Sequence, residues 1–212
     1  CADVSSFPYT QNFSGSLNDC WKTEGNFAMA DYDGYFTANG FTAVAGVGDA
    51  AWVNSFALAN VQNDWLMSPA FTVTMGSSDR VQFKASNPGN GQANSELTVI
   101  ISTVGTNNPS SADFAGSNAD TLILDTVAPV GFQNFIIDLS NYDGLTVNIA
   151  FVIDAPAGQA KGFYGIDDFV IDALPNCQDL SNLTLNPSDY NTIDVAFTDL
   201  NSGSQGYFVT YT

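Results

Sequence analysis

The feature that most constrains this chain is the recurrence of short runs in which apolar and polar residues alternate one for one, each run closed by Gly, Pro, Asn, Asp or Ser. Val81, Phe83 and Ala85 alternate with Arg80, Gln82 and Lys84, while Val147, Ile149, Phe151 and Ile153 alternate with Thr146, Asn148 and Asp154. Side chains on a strand point to opposite faces in turn, so such a run has one face for a core and one for water. Trp52–Ala57, Ala70–Val73, Leu97–Thr103, Thr121–Asp125, Phe132–Leu139 and Tyr164–Asp172 read the same way. No stretch of ten residues carries a helical stripe. A sheet with one apolar face needs a second sheet to cover it, so the expected fold is all-β, a sandwich of the jelly-roll type. The polar tracts Ser86–Asn94 and Gly105–Asp120 are expected to be solvated connectors.

Near Leu174–Gln178 the texture changes, with Pro175, Asn176 and Cys177 placed as a linker. The expected organisation is therefore a first domain over 1–174 and a second element over 175–212. The latter has room for two or three strands, too few for a core of its own.

Charge narrows the partners. Four Lys and Arg against 22 acids give a net charge of −18, which repels nucleic acid and anionic lipid. All the acids but Glu24 and Glu96 are aspartate, the acid favoured in turns and calcium loops. No apolar run reaches the ~20 residues that a membrane-spanning helix needs, so direct membrane insertion is not expected. The sequence contains no histidine, which removes Ser–His and Cys–His catalysis. A glycosidase built on paired carboxylates needs no histidine, but scattered aspartates supply close pairs by chance. No phosphate-binding or dinucleotide fingerprint is present.

Cys1, Cys20 and Cys177 fit no metal or redox spacing. A Cys1–Cys20 disulfide is the first choice, with a lipid-bearing Cys1 as the rival reading. Trp21, Trp52 and Trp65, with Tyr32, Tyr35, Phe36 and Phe41, are candidates for a platform on which sugar rings stack. Trp21 and Trp65 read better as core, which leaves Tyr32, Tyr35 and Phe36 as the candidate ligand-binding residues. Asp31-Tyr32-Asp33-Gly34 has alternate acids before a glycine, as in a loop that wraps oxygen ligands round calcium. Adjacent Asp167 and Asp168 fall in a predicted strand, so one is expected to point inward, where it needs a hydrogen bond or a cation. Their bland alternative is to accept backbone N–H bonds.

Five blocks in order carry a family resemblance. Asn63-Asp64-Trp65-Leu66-Met67-Ser68-Pro69-Ala70-Phe71 is similar to a D-N-W-L-I-T-P-x-F signature, and Phe7–Phe13 followed by Asp19-Cys20-Trp21 is similar to the opening that goes with it. Leu97–Thr103, Asp138–Phe151 and Gly165–Ile171 resemble its V-x-V-S-T, D-L-S-x-Y-A-G-K-T-V-x-I-A-F and I-D-D-V strands. Residues 1–174 thus resemble the cleaved-adhesin and choice-of-anchor J family, MAM-like jelly rolls of secreted Bacteroidetes proteins. From Pro175 on, Leu183-Thr184-Leu185, Ile193–Phe197 and Gly206–Tyr211 resemble the first strands of a fibronectin type III domain.

The resemblance implies an exported, surface-located, non-catalytic module, often secreted by the type IX system, that meets a surface glycan or protein and sits beside further domains of its own polypeptide. The alternative it leaves is a carbohydrate-binding module accessory to a polysaccharide-degrading enzyme. It also implies calcium near Asp167 and Asp168, with Asn63 or Asp64 as further donors; Ser14 stands where the family has glutamate. Asp120-Thr121-Leu122 and Asp125-Thr126-Val127 resemble a Bacteroidetes O-glycosylation motif, which would place sugar on Thr121 and Thr126.

Overall fold

The computed structural model describes residues 2–13, 20–25, 27–30, 50–54, 62–86, 96–126, 132–155, 163–174, 181–189 and 192–198. The chain divides into two compact units, Cys1–Leu174 and Pro175–Thr212.

The first unit is built on two antiparallel sheets. One holds β10 (Gln133–Asp138), β7 (Arg80–Ser86), β12 (Phe163–Asp172), β4 (Ala50–Asn54) and β3 (Phe27–Ala30) in that order, with β1 (Tyr9–Gln11) also paired to β12. The other holds β2 (Lys22–Glu24), β5 (Gln62–Met67), β11 (Thr146–Ala155), β8 (Glu96–Ser102) and β9 (Ala119–Thr126), with β6 (Phe71–Thr72) also on β11. They are called the β7 sheet and the β11 sheet below. The order interleaves strands distant in sequence, as in a jelly roll, and the described residues include no helix beyond short 3-10 turns.

The alternating rows seal the two sheets together. Val81, Phe83 and Ala85 of β7, Leu97, Val99 and Ile101 of β8, and Val147, Ile149, Phe151 and Ile153 of β11 are all buried in one core. A run of edge-to-face aromatic contacts crosses that core. Phe83 meets Phe151 at 4.8 Å, Phe151 meets Phe169 at 6.0 Å, Phe169 meets Trp21 at 5.0 Å and Trp21 meets Phe13 at 5.0 Å. Such pairs add stabilisation beyond the area they bury, because the positive edge of one ring meets the negative face of the next. Trp21 is therefore core, and its indole N–H is satisfied by the Tyr9 hydroxyl at 3.0 Å.

Two expectations are corrected. The tract Gly105–Asp120 is not a solvated connector: it folds into 3-10 turns over Ser111–Phe114 and Gly116–Asn118, and Phe114 is buried against Met67, Ala150 and Val152. One apolar residue in a polar segment was the available signal, and burial of its ring outweighs the cost of ordering the turns. The strict alternation of Tyr164–Asp172 also fails, because β12 carries a bulge between Asp167 and Val170 with Asp168 in the left-handed region at φ 47°. Ile166, Phe169 and Ile171 stay in the core, and neither aspartate enters it.

Gly105 begins the return of the 103–118 segment where a Cβ would lie 2.6 Å from the Thr146 carbonyl oxygen, and its φ of 60° favours glycine. On the β9 edge, the Tyr142 hydroxyl donates to Asp120 Oδ2 at 3.0 Å, and burial first, then this bond, push its pKa up to about 12. An unfolded tyrosine ionises near 10, so this contribution is complete below pH ~10 and is lost as pH rises towards 12. Melting curves between pH 9 and 12 are expected to show wild type losing its margin over Tyr142→Phe across that window. A margin that does not change with pH would contradict the assignment.

The second unit contains an antiparallel hairpin of β13 (Ser181–Asp189) and β14 (Thr192–Thr198), in which Leu185 pairs with Val195. Gly206–Tyr211 lies outside the described residues.

Candidate binding face

A sandwich offers two outer sheet faces to a partner, and here the chain covers one of them itself. On the β11 sheet the outward residues Trp65, Met67, Ala150 and Val152 pack with Phe114 of the 103–118 segment. That segment is tied down along its length. Glu24 accepts from both the backbone N–H and the hydroxyl of Ser111, at 3.0 and 2.6 Å. The Ser102 hydroxyl donates to the Asp113 carbonyl, and Thr103 N–H to the Asn118 carbonyl at 2.8 Å. Buried Asn148 receives Thr106 N–H on Oδ1 at 2.9 Å and donates through Nδ2 to the carbonyls of Ser68 and Thr106.

The outer face of the β7 sheet presents a different surface. Register places Asn134 across from Lys84 and Ile136 across from Gln82 on one side, and Asp167 across from Lys84 and Val170 across from Gln82 on the other. Gln82, Phe83, Lys84, Asn134, Phe135, Asp168 and Val170 line a shallow depression there. Phe135 stacks on Phe83 at 5.1 Å with nearly parallel rings, which holds β10 flat against β7. Lys84 Nζ donates to Asp168 Oδ2 at 2.6 Å, and Asp168 N–H donates to Asp167 Oδ1 at 2.7 Å. The hydrogen bond to Asp168 raises the Lys84 pKa, helped by the charges of Asp168 and Asp167, so the ammonium stays protonated. At the end of the row Arg80 grips Asp172 with Nε and Nη2 at 2.8 and 2.7 Å, and Gln82 Nε2 also reaches Asp172 at 3.1 Å. This fork is the geometry in which guanidinium and carboxylate bind best.

The bulge builds this site. Inserting Asp168 as an extra residue turns its carboxylate to the outer face, where a regular strand would have sent one of two neighbours into the core. Two of the chain's four basic residues thus lie four positions apart on β7, each matched by an acid from β12. The sequence marked Arg80, Gln82 and Lys84 as an outward row; the acids facing them depended on β12 lying beside β7.

The described members of the expected cation set fall on different sheets. Asn63 and Asp64 lie on β5 of the β11 sheet, while Asp167 and Asp168 lie on β12 of the β7 sheet. Asn63 donates to Asp154 and accepts from the Trp65 indole, Asp64 is buried against Gly25, and Asp168 is engaged by Lys84. Among the described residues no three His, Cys, Asp or Glu side chains come together to hold a metal ion. Asp31, Asp33, Tyr32, Tyr35, Phe36 and Phe41 lie outside the described residues. Trp65, expected in the core, is half-buried on the outer side of β5, and Trp52 sits in register with Gly165 on the β7 sheet. Cys20 is disulfide-bonded; Cys1 and Cys177 are outside the described residues. Thr121 is exposed on β9, and Thr126 ends that strand, its side chain outside the description.

Solved structures place this architecture. The K1 cleaved adhesin domain of Lys-gingipain from Porphyromonas gingivalis W83 superposes with a TM-score of 0.59 over 79% of this chain and 98% of its own, at 14% identity. The fold is that of a cleaved adhesin domain. The K3 domain of the same protein matches with a TM-score of 0.52 at 18% identity, covering 79% of this chain and 98% of that one. The K2 domain matches at 0.50 and 16% identity, over 80% and 99%. At these identities what the cleaved adhesin domains share with this chain is the fold. No protein-family profile and no curated protein matches the sequence.

Proposed function

We propose that this chain is a non-catalytic binding module of a larger exported bacterial protein, and that it meets its partner with the outer face of the β7 sheet. The observation that carries this reading is the asymmetry of the two faces: one is closed by residues 103–118, and over the other, with its line of partly exposed polar groups, no described segment lies. Absence of histidine from the sequence supports a role without catalysis. The cleaved-adhesin fold supports display outside the cell, on a surface or in secretion by the type IX route. The partner is a surface glycan or protein, and the neighbours in the polypeptide include a fibronectin type III-like domain begun by the β13–β14 hairpin. Among the described residues no helix is long and apolar enough to cross a membrane.

Beads coated with the protein are expected to adhere to fixed cells. Asn134→Arg, on the open face, is expected to abolish most of that adhesion, and Thr98→Arg, on the other sheet, to leave it intact. Adhesion that is absent, or indifferent to Asn134→Arg, rejects the proposed face.

We also propose calcium as a structural ion of the first unit, on the sequence signal of Asp31 and Asp33 and on the half-exposed Asp167 at the bulge. An ion that binds only the folded state raises its stability. EDTA is then expected to lower the melting temperature and added calcium to restore it. Superimposable melting curves would remove the ion from the account.

A further inference from the structure

We infer that the ligand of the β7 face is an uncharged polyhydroxylated chain, a neutral glycan, held by the side chains of Asn134 and Gln82. This rests on the binding-face reading above and names the chemistry of its partner.

Three features of the face select that ligand. The two cations among its described residues are already neutralised in place, Lys84 by Asp168 at 2.6 Å and Arg80 by a two-point contact with Asp172. An anionic chain would have to break those pairs and approach a protein of net charge −18, so polyanions are disfavoured twice. What remains are groups that both donate and accept without net charge. The Asn134 amide is exposed and hydrogen-bonded to no other described residue, and Gln82, whose Nε2 is held by Asp172, has no described donor on its Oε1. Lys84 Nζ uses one donor on Asp168 and has others to offer. A run of acceptor and donor groups of this kind matches the adjacent hydroxyls of a sugar.

The spacing and relief of the face agree with this. Strands lie ~4.8 Å apart, so β10, β7 and β12 span roughly two pyranose rings laid across them. Ile136, 63% exposed, and half-buried Val170 flank Gln82 and offer apolar ground to the C–H faces of those rings. A protein partner would call for a larger apolar centre, and Ile136 is the one largely exposed apolar side chain among the described residues of this face.

Affinity electrophoresis of the whole chain in gels containing galactan, xylan, mannan or β-glucan tests the inference, with polygalacturonate and a sulfated polysaccharide as anionic counterparts. At least one neutral polysaccharide is expected to retard the protein equally at 50 and 500 mM salt, because no ion pair is exchanged on binding. The Gln82→Ala/Asn134→Ala variant, whose side chains lie on the surface and whose melting temperature is the check on folding, is expected to bind about tenfold more weakly or worse. Retardation by the anionic polymers alone overturns the inference, as does neutral-glycan binding that survives the double substitution. Loss of every glycan interaction while bead adhesion stays sensitive to Asn134→Arg identifies a protein ligand, overturning the glycan but not the face. Absence of both removes the face and the glycan together.

Discussion

Phe169→Ala is expected to lower the stability of the first unit by about 4 kcal/mol, the cost of deleting a large ring from a core that cannot fully collapse around the void. Phe169 is fully buried and touches aromatic rings on three sides, Trp21 at 5.0 Å, Phe151 at 6.0 Å and Tyr9 at 6.4 Å. It is the core residue within the bulge, next to Asp168, so the same substitution loosens the support of Asp168 and of the ion pair with Lys84. For a unit of this size the loss corresponds to a fall in melting temperature of roughly 10 °C, measurable by calorimetry. Phe169→Leu keeps part of the volume and is expected to lose about half as much. A fall of under ~3 °C for the alanine variant would mean that the ring is not central to the core.

Asn148→Ala comes second, by another mechanism. One buried amide satisfies the Ser68 carbonyl and both backbone groups of Thr106, and its removal leaves buried polar groups without partners. The expected cost is about 3 kcal/mol, above the worth of an ordinary exposed hydrogen bond because desolvated groups are stranded. The loss also has a specific location. Residues 103–118 are expected to open before the sandwich melts, seen as faster hydrogen exchange at Thr106 and as dye binding to the face around Met67, Ala150 and Val152. Uniform destabilisation without local opening would show that Asn148 does not govern that segment.

Much of the fold was open to inference from the chain alone. The inward rows of β7 and β11 match the alternating residues one by one, because burying one face of a strand leaves only one register. Asp167 and Asp168 show where such reading stops. Alternation assigns one of them to the core, yet a left-handed residue and a one-residue bulge keep both out, since an unpaired buried carboxylate costs more than the irregularity in the ladder. Phe114 makes the same point from the other side: its surroundings read as a loop, and the apolar strip that receives it comes from β5 and β11, distant in sequence. Trp65 is placed by that same strip. The signature residues identified a family fold, while the candidate binding residues Gln82 and Asn134 belong to no signature block.

By itself, the amino-acid order determined that the first unit is a two-sheet sandwich, which residues face its interior, and that histidine-based catalysis is absent, because these follow from side-chain type and a period of two. Which outer face residues 103–118 close and which acids stand beside Arg80 and Lys84 were decided only by the tertiary structure. Those properties depend on which strands become neighbours, and strand order is settled by the packing of the whole core and not by any local run of residues.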